Sequence, residues 1–322
     1  MKARESSQLN VGLIAAYLLL SLTFTCVLFG SMDMHYDRLI QERAVLGGEE
    51  TFAGARILSV LALNVLTELN VTAKTSSWIL VALSTFGTLF AFRRMLISSS
   101  GLSLSRATLL ASGILIPMTW NYAIISRLIF PEDLPALLLF TLGLAFLFEK
   151  RAIAFHVVFI LAILNRESSI FLLPAMFLIQ LGRRRLLRLV LHISVLALTW
   201  FGLKLLLMHF FGGGISGPQY LNTFSQNLAL IKSLVDLDHR ALLLLLMFGG
   251  LWLVIPFCYG KVPNRIMLLT LMVPVFFGVM TYVGNLNREF RVFTEMIPVV
   301  AAPPLILFGK YLDRLGDTIS PG

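Results

Sequence analysis

Residues 10–31, NVGLIAAYLLLSLTFTCVLFGS, contain no charged side chain. An uncharged stretch of this length matches the ~20 apolar residues that an α-helix needs to cross a bilayer. Its apolar part is longer than the core of a usual secretion signal, and no small-x-small cleavage site follows it. The stretch therefore predicts a first membrane span rather than a removable leader.

The rest of the 322-residue chain has the same character. Hydrophobic residues make up 57% and charged residues 13%, whereas soluble proteins carry about 25% charged residues. A chain this apolar could not cover its own surface in water. We therefore predict an all-α polytopic membrane protein, a single transmembrane domain over 1–322, with about ten spans at 10–31, 76–92, 107–125, 134–148, 152–164, 169–182, 187–210, 240–258, 266–284 and 297–309.

The basic residues predict the orientation of these spans. With the N-terminus in the cytoplasm, 15 Lys and Arg but only four Asp and Glu fall on the inner side. Lys and Arg are enriched in cytoplasmic loops, and one span too many or too few would invert every later loop. We therefore expect both termini in the cytoplasm. The net charge of +9 follows from this arrangement and does not predict nucleic-acid binding.

Segments 152–164 and 169–182 are short for spans. Each is ~20 Å long at 1.5 Å per residue, against a hydrocarbon core of ~30 Å. One continuous helix over both is the alternative, but it would place the basic run 183–188 outside. We therefore favour a short hairpin with its tip at 165–168, which would lie below the outer surface, in a cavity.

Two outer loops are long. Residues 32–75 form the first, and the apolar stretch 56–69 within it carries interspersed polar residues. This stretch is too short to span, so we interpret it as an interfacial helix. Residues 211–239 form the second, and Gly212 to Gly214 predict a flexible or tightly turned start.

Charged residues gather at the outer ends of four segments. Ionisable groups at membrane depth are costly and usually face a cavity or a charged partner. Their position at one face predicts a single polar site under the outer loops, formed by Asp33, Asp37, Glu132, Asp133, Arg166, Glu167, Arg288, Arg291 and Glu295.

Structural roles are open for the same residues. Glu132 and Asp133 follow a proline and suit the first turn of a helix, where acids interact favourably with the helix dipole. Arg166 and Glu167 are adjacent and can form an ion pair. Arg291 and Glu295 are spaced i,i+4 and can pair locally, and Asp33 and Asp37 can be ordinary loop acids.

The order of these pieces resembles the GT-C class of membrane glycosyltransferases, in particular its small bacterial members. Asp37 after the first span, followed by Gly47-Gly48 and the run 55–58 with Arg56, is similar to the first outer loop of that class. Residues 130–135, 165–167 and 288–292 are similar to its second acidic motif, its hairpin tip and its late basic segment. Each motif is two to six residues long, and the Asp-Glu doublet common after the first span is absent.

The resemblance implies transfer of a sugar from a polyprenyl-phosphate donor to a glycan, lipid or protein acceptor at the outer face of a bacterial inner membrane. Asp37 would be the general base, with Asp33 as the other option. Substrates would be bound by Arg56, Glu132, Asp133, Arg166, Glu167, Arg288, Arg291 and Glu295. A divalent cation, Mg²⁺ or Mn²⁺, held by Asp37, Glu132 and Asp133 is one way to balance the phosphate charge, and arginines are the other.

The alternative is a membrane protein without catalytic activity: a flippase for lipid-linked glycans, a transporter or an assembly subunit. The sequence has no HExxH or GxSxG motif and no phosphate-binding loop that would favour another enzyme class. The acids lie at one face rather than in mid-span, which favours the transferase over an ion transporter.

Overall fold

The computed structural model describes residues 2–31, 56–126, 129–130, 132–182, 186–211, 217–232, 239–283 and 290–319, and these parts are helical, without a strand. The α-helices are α1 (Lys2–Gly30), α2 (Ile57–Glu68), α3 (Ala73–Ser100), α4 (Leu104–Ala111), α5 (Leu115–Thr119), α6 (Asp133–Glu149), α7 (Ala152–Asn165), α8 (Leu172–Gln180), α9 (Leu186–Phe211), α10 (Gly217–Lys232), α11 (His239–Leu245), α12 (Asn264–Leu269), α13 (Met272–Val283) and α14 (Ile297–Ile319).

Six helical stretches are long and apolar enough to cross a membrane: Val11–Gly30, Ala73–Ser100, Leu104–Ile125, Leu186–Phe210, Asn264–Tyr282 and Phe293–Leu312. Each coincides with a predicted span. The other four predicted spans are shorter or interrupted helices. The chain is therefore an all-helical multi-pass membrane protein, and a total of ten spans stays a prediction.

The short segments form the predicted hairpin. Helix α7 ends at Asn165, Arg166 is extended (φ −158°, ψ 149°), and a 3₁₀ turn, Glu167–Phe171, leads into α8. The chain reverses there, because Ala152 at the start of α7 and Gln180 at the end of α8 line the same cavity. One continuous helix over 152–182 is therefore wrong.

Two predictions about the C-terminal half need correction. The predicted span 240–258 is interrupted, because Phe248, Gly249 and Gly250 all have left-handed backbone angles between α11 and the following 3₁₀ turns. The predicted loop 211–239 contains the helix α10, and Asn227 within it donates a hydrogen bond of 2.8 Å to the carbonyl of Thr281. The predicted interfacial stretch is helical, as α2.

The hairpin packs against the most deeply buried helix, α6. Apolar side chains surround α6 on nearly every side, as expected for a helix without a solvent face, and it lies against α3, α7 and α8. Helix α9 instead turns many large apolar side chains outward, among them Leu198 and Phe201. Without lipid, such a face would be unstable in water, so α9 faces the bilayer.

Close packing of α3 on α6 leads to a first prediction. A Cβ added at Gly87 would lie 2.9 Å from Leu138 Cδ1. Small residues allow helices to approach closely in membranes, and overpacking costs about 1–3 kcal/mol. Gly87→Ile should therefore lower the thermal unfolding midpoint in detergent. Gly202→Ile is the control, because nothing lies within 4 Å of a Cβ there. Equal midpoints for the two variants would contradict this packing.

Candidate functional site

Five segments bring seven charged side chains together at the tip of the α7–α8 hairpin. We call this group the hairpin-tip cluster. The segments are the start of α2, the turn into α6, the hairpin tip itself, the middle of α9 and the 3₁₀ turn before α14. The members of the cluster are Arg56, Glu132, Asp133, Arg166, Glu167, Lys204 and Glu295.

The outer part of the cluster is built around Arg56. Its Nη1 donates to Glu132 Oε1 at 2.5 Å, and its Nε donates to Glu167 Oε2 at 3.3 Å. Lys204 Nζ lies 3.5 Å from Glu167 Oε1. The Glu167 side chain is 41% exposed and those of Arg56 and Lys204 are 16% and 7% exposed, so Glu167 is the most accessible member of this part of the cluster.

The inner part is built around Arg166. Its Nη1 lies 3.0 Å from Asp133 Oδ1 and 3.4 Å from Glu295 Oε1. Ser168 donates a short hydrogen bond to the same Glu295 oxygen, and Asp133 also accepts from the N–H of Phe130. These side chains are buried. Arg166 is thus fixed between two carboxylates rather than presented to a ligand.

Asn165 ties the hairpin to its neighbours. Its Nδ2 donates to the backbone carbonyl of Glu132 at 2.9 Å, and its Oδ1 accepts a short hydrogen bond from Ser59 of α2. Trp200 of α9 donates to Ser169 at 3.2 Å. Helices α2, α6 and α9 therefore all hold the tip in place through polar contacts.

Burying this many charges is costly unless each has a partner. The cluster contains three cations and four carboxylates, so it carries one net negative charge when all are ionised. The second oxygen of Glu295, Oε2, is buried and has no hydrogen-bond partner among the described residues. A buried ion cluster of this kind contributes little net stability to a fold. Its presence therefore favours a functional role.

The electrostatics of Glu167 limit its chemistry. Burial by itself raises the pKa of Glu167, but Arg56 and Lys204 outweigh that effect and lower the pKa to about 2. A general base works best with a pKa near the working pH. Glu167 is therefore a weak base, suited to orienting the two cations rather than to accepting a proton from a substrate.

Six of the residues predicted to bind substrate lie together in the cluster, and their role in binding stays a prediction: Arg56, Glu132, Asp133, Arg166, Glu167 and Glu295. Asp33, Asp37 and Arg288 lie outside the described residues, and so does the side chain of Arg291. The expected pairing differs, because Arg166 binds Asp133 and Glu295 whereas Glu167 binds Arg56 and Lys204. Asp133 also begins α6, so its helix-start role and its site role coexist.

Sequence reasoning missed Lys204. The signal was present, because Lys204 is a cation well inside the predicted span 187–210, and such residues usually mark a polar partner or pathway. The role of Asn165 in joining α2 to the hairpin was also missed. Its partner Ser59 has no distinctive sequence context.

A metal site made with Glu132 and Asp133 does not fit the described geometry well. Each of these carboxylates already binds a guanidinium, Glu132 that of Arg56 and Asp133 that of Arg166. Within the described ranges, no three His, Cys, Asp or Glu side chains are grouped to hold a metal ion. Within the described residues, the positive partner of each of these two acids is an arginine.

Comparisons with protein-family models, curated proteins and solved structures found no match to this chain. The fold and the cluster define the class of molecule: a multi-pass helical membrane protein with a buried polar site at one end of its helix bundle.

Proposed function

We propose that this protein is a membrane glycosyltransferase that uses a polyprenyl-phosphate-linked sugar as donor. The proposal rests on one observation: Arg56 and Lys204 both form ion pairs with the same accessible carboxylate, that of Glu167. Arg56 lies in the predicted first outer loop, directly before α2, and Lys204 lies on the lipid-facing helix α9. A phosphate carried by a lipid would meet both cations as it enters from the bilayer.

Arg56 suits the donor phosphate better than Arg166 does. Arg166 is 6% exposed and lies between Asp133 and Glu295. Arg56 lies nearer the accessible edge, and its planar guanidinium has more N–H donors than Glu132 and Glu167 use. Charge-assisted, bidentate contacts of this kind stabilise a leaving phosphate. Arg288 and Arg291 remain predicted contacts to the same group.

The reaction needs a base as well as a phosphate site. The acceptor hydroxyl oxygen attacks the anomeric carbon of the sugar, and the bond from that carbon to the phosphate oxygen breaks. The polyprenyl phosphate leaves with the bonding electrons, and the hydroxyl proton passes to a carboxylate. We assign this carboxylate to Asp37, because Glu167 is too weakly basic and the other cluster acids are already paired with arginines.

The test is the substitution Arg56→Lys, which keeps the charge but removes the planar fork. Losing one charge-assisted hydrogen bond costs about 1.5–3 kcal/mol, so transfer should fall about tenfold or more. The measurement is glycan and glycolipid mass spectrometry in cells that carry only the variant.

Arg94→Lys is the matched control. Arg94 binds Glu149 through two hydrogen bonds of 2.9 and 2.6 Å at the other end of α6. The Arg94→Lys variant should transfer sugar at nearly the wild-type rate. Full activity of Arg56→Lys would remove the phosphate role of Arg56, and equal loss in both variants would indicate a folding effect instead.

A specific observation favours a second candidate, a transporter. The left-handed run at Phe248 to Gly250 interrupts an apolar segment, and the N–H of Phe248 donates to Asn121 within a π-helical turn, Trp120–Ser126. Interrupted helices often form substrate sites in transporters. Uptake or flipping of a lipid-linked glycan into vesicles, without any change in the glycan, would favour this candidate.

A further inference from the structure

A polar cavity lies at the opposite end of the hairpin from the cluster. Helix α7 has 14 residues and is therefore ~21 Å long, which separates the cavity from the hairpin-tip cluster. The cavity measures about 340 Å³ and is bordered by the end of α6, the start of α7, the end of α8 and the start of α9. Small-molecule sites occupy ~300–1,000 Å³, so a compact ligand fits.

Among the described residues, the ionisable side chains that line this cavity are all basic: Lys150, His156 and His192. The neighbouring acid, Glu149, is bound by Arg94 at 2.6 Å and by Arg151 at 3.2 Å. Its charge is therefore already balanced by two arginines, and Glu149 does not line the cavity. An anion entering the cavity would meet positive or neutral groups, whereas a cation would meet Lys150 without a compensating acid.

The two histidines form one hydrogen-bonded unit. Their Nε2 atoms lie 2.8 Å apart, and the ring centroids are 5.0 Å apart with an angle of 12° between the planes. The rings therefore lie end to end and share one proton. His156 Nδ1 must donate to the carbonyl of Ala152, because that oxygen can only accept.

Two other features favour a ligand here. Gln180 lines the same cavity, and its buried Oε1 has no hydrogen-bond partner in the described part of the chain. As an acceptor, this oxygen would receive a hydrogen bond from an O–H group of the ligand. Lys150 has a left-handed backbone (φ 61°) at the end of α6. Glycine is the usual residue at such a helix end, so a lysine there carries a conformational cost.

The remaining wall is apolar and includes Phe146, Phe155 and Met176. Basic pockets between helix ends, with apolar walls toward the bilayer, bind the head groups of anionic lipids. We propose that this cavity binds a phosphate group, through Lys150 and the His156–His192 pair. The phosphate belongs either to an anionic lipid or to a soluble molecule, and the proposal does not depend on the glycosyltransferase function.

The experiment uses the full-length protein and two probes. One is inorganic phosphate, titrated by calorimetry into protein in an uncharged detergent. The other is phosphatidylglycerol in phosphatidylcholine nanodiscs, followed by native mass spectrometry of the retained lipid. We expect at least one probe to bind. Binding of the lipid alone identifies a head-group site, and binding of inorganic phosphate identifies a site that soluble phosphates can reach.

Lys150→Gly is the decisive variant. Glycine suits the left-handed backbone, so the protein should unfold at the wild-type temperature or above it, yet binding should weaken about fivefold for the lost cation. His156→Gln should weaken binding as well. Arg151→Gln is the control, because Arg151 is a neighbouring cation that does not line the cavity.

Three results would overturn the proposal. One is that neither probe binds the wild-type protein. Another is that Arg151→Gln weakens binding as much as Lys150→Gly does, which would indicate a diffuse charge effect. The third is that Zn²⁺ binds the protein and is lost in His156→Gln while phosphate does not bind, because the histidine pair would then be a metal site.

Discussion

Asp37→Asn should leave the protein at normal abundance in the membrane and lower glycan transfer by about a hundredfold or more. Removing a general base typically costs 10²- to 10⁴-fold in rate, and asparagine is nearly isosteric with aspartate. Asp37 and Arg56 belong to the same predicted outer loop, 32–75, and Arg56 lies at the accessible edge of the hairpin-tip cluster. The measurement is mass spectrometry of glycans and glycolipids in cells that carry only the variant, with protein amount checked in the same membranes.

Asp33→Asn is the matched comparison, with the same chemical change in the same loop. It should have a milder effect, because Asp33 lies closer to the end of the first span and can orient Arg38 or cap the helix exit. Wild-type transfer by Asp37→Asn together with an inactive Asp33→Asn would reassign the base to Asp33. Full activity of both variants would remove the main support for an enzyme and favour the transporter.

Helix positions could be predicted where apolar length alone decides the structure. The stretch 10–31 and the five other long segments each became helices long enough to span. The hairpin needed a second argument, because its two segments are short and only the basic run 183–188 favoured a reversal. That argument predicted the break at Arg166 where composition could not.

The interruption at Phe248 could not be predicted from hydropathy. Its residues are as apolar as a continuous helix would require, and the break depends on Asn121 of a distant segment, which accepts from the N–H of Phe248. Gly249 and Gly250 were the available local signal, since glycine adopts left-handed angles at little cost. Helix α10 was missed for the opposite reason, because the glycines before it suggested a loop.

Most members of the cluster could be predicted from the sequence, but the ion pairs that they form could not. Because burying a charge in the membrane is costly, ionisable residues are expected to gather at one face, and this expectation needs no knowledge of the tertiary structure. Pairing depends on local backbone direction. Arg166 is extended, and successive side chains of an extended chain point to opposite sides. Arg166 therefore reaches the inner acids while Glu167 reaches Arg56 and Lys204, although the two residues are adjacent.

Arg166→Met should destabilise the protein by about 3–5 kcal/mol, the largest stability effect we expect. The substitution keeps the length of the side chain but leaves Asp133 and Glu295 as buried carboxylates without their guanidinium partner. The measurement is denaturant or thermal unfolding of the purified protein in detergent. Arg151→Met is the control, because its side chain is 64% exposed in its pair with Glu149, and exposed pairs contribute about 0–1 kcal/mol.

The triple variant Arg166→Met, Asp133→Asn, Glu295→Gln separates charge from packing. Replacing a whole buried ion network with neutral groups is often neutral or stabilising, whereas removing one partner is costly. The triple variant should therefore recover most of the lost stability, with Asp133→Asn still able to accept from the Phe130 N–H through its amide oxygen. Recovery together with lost transfer would mean that the charges serve function rather than folding. If Arg166→Met alone unfolds like the wild type, then the two carboxylates do not depend on this arginine, and the inner part of the cluster is not held as described.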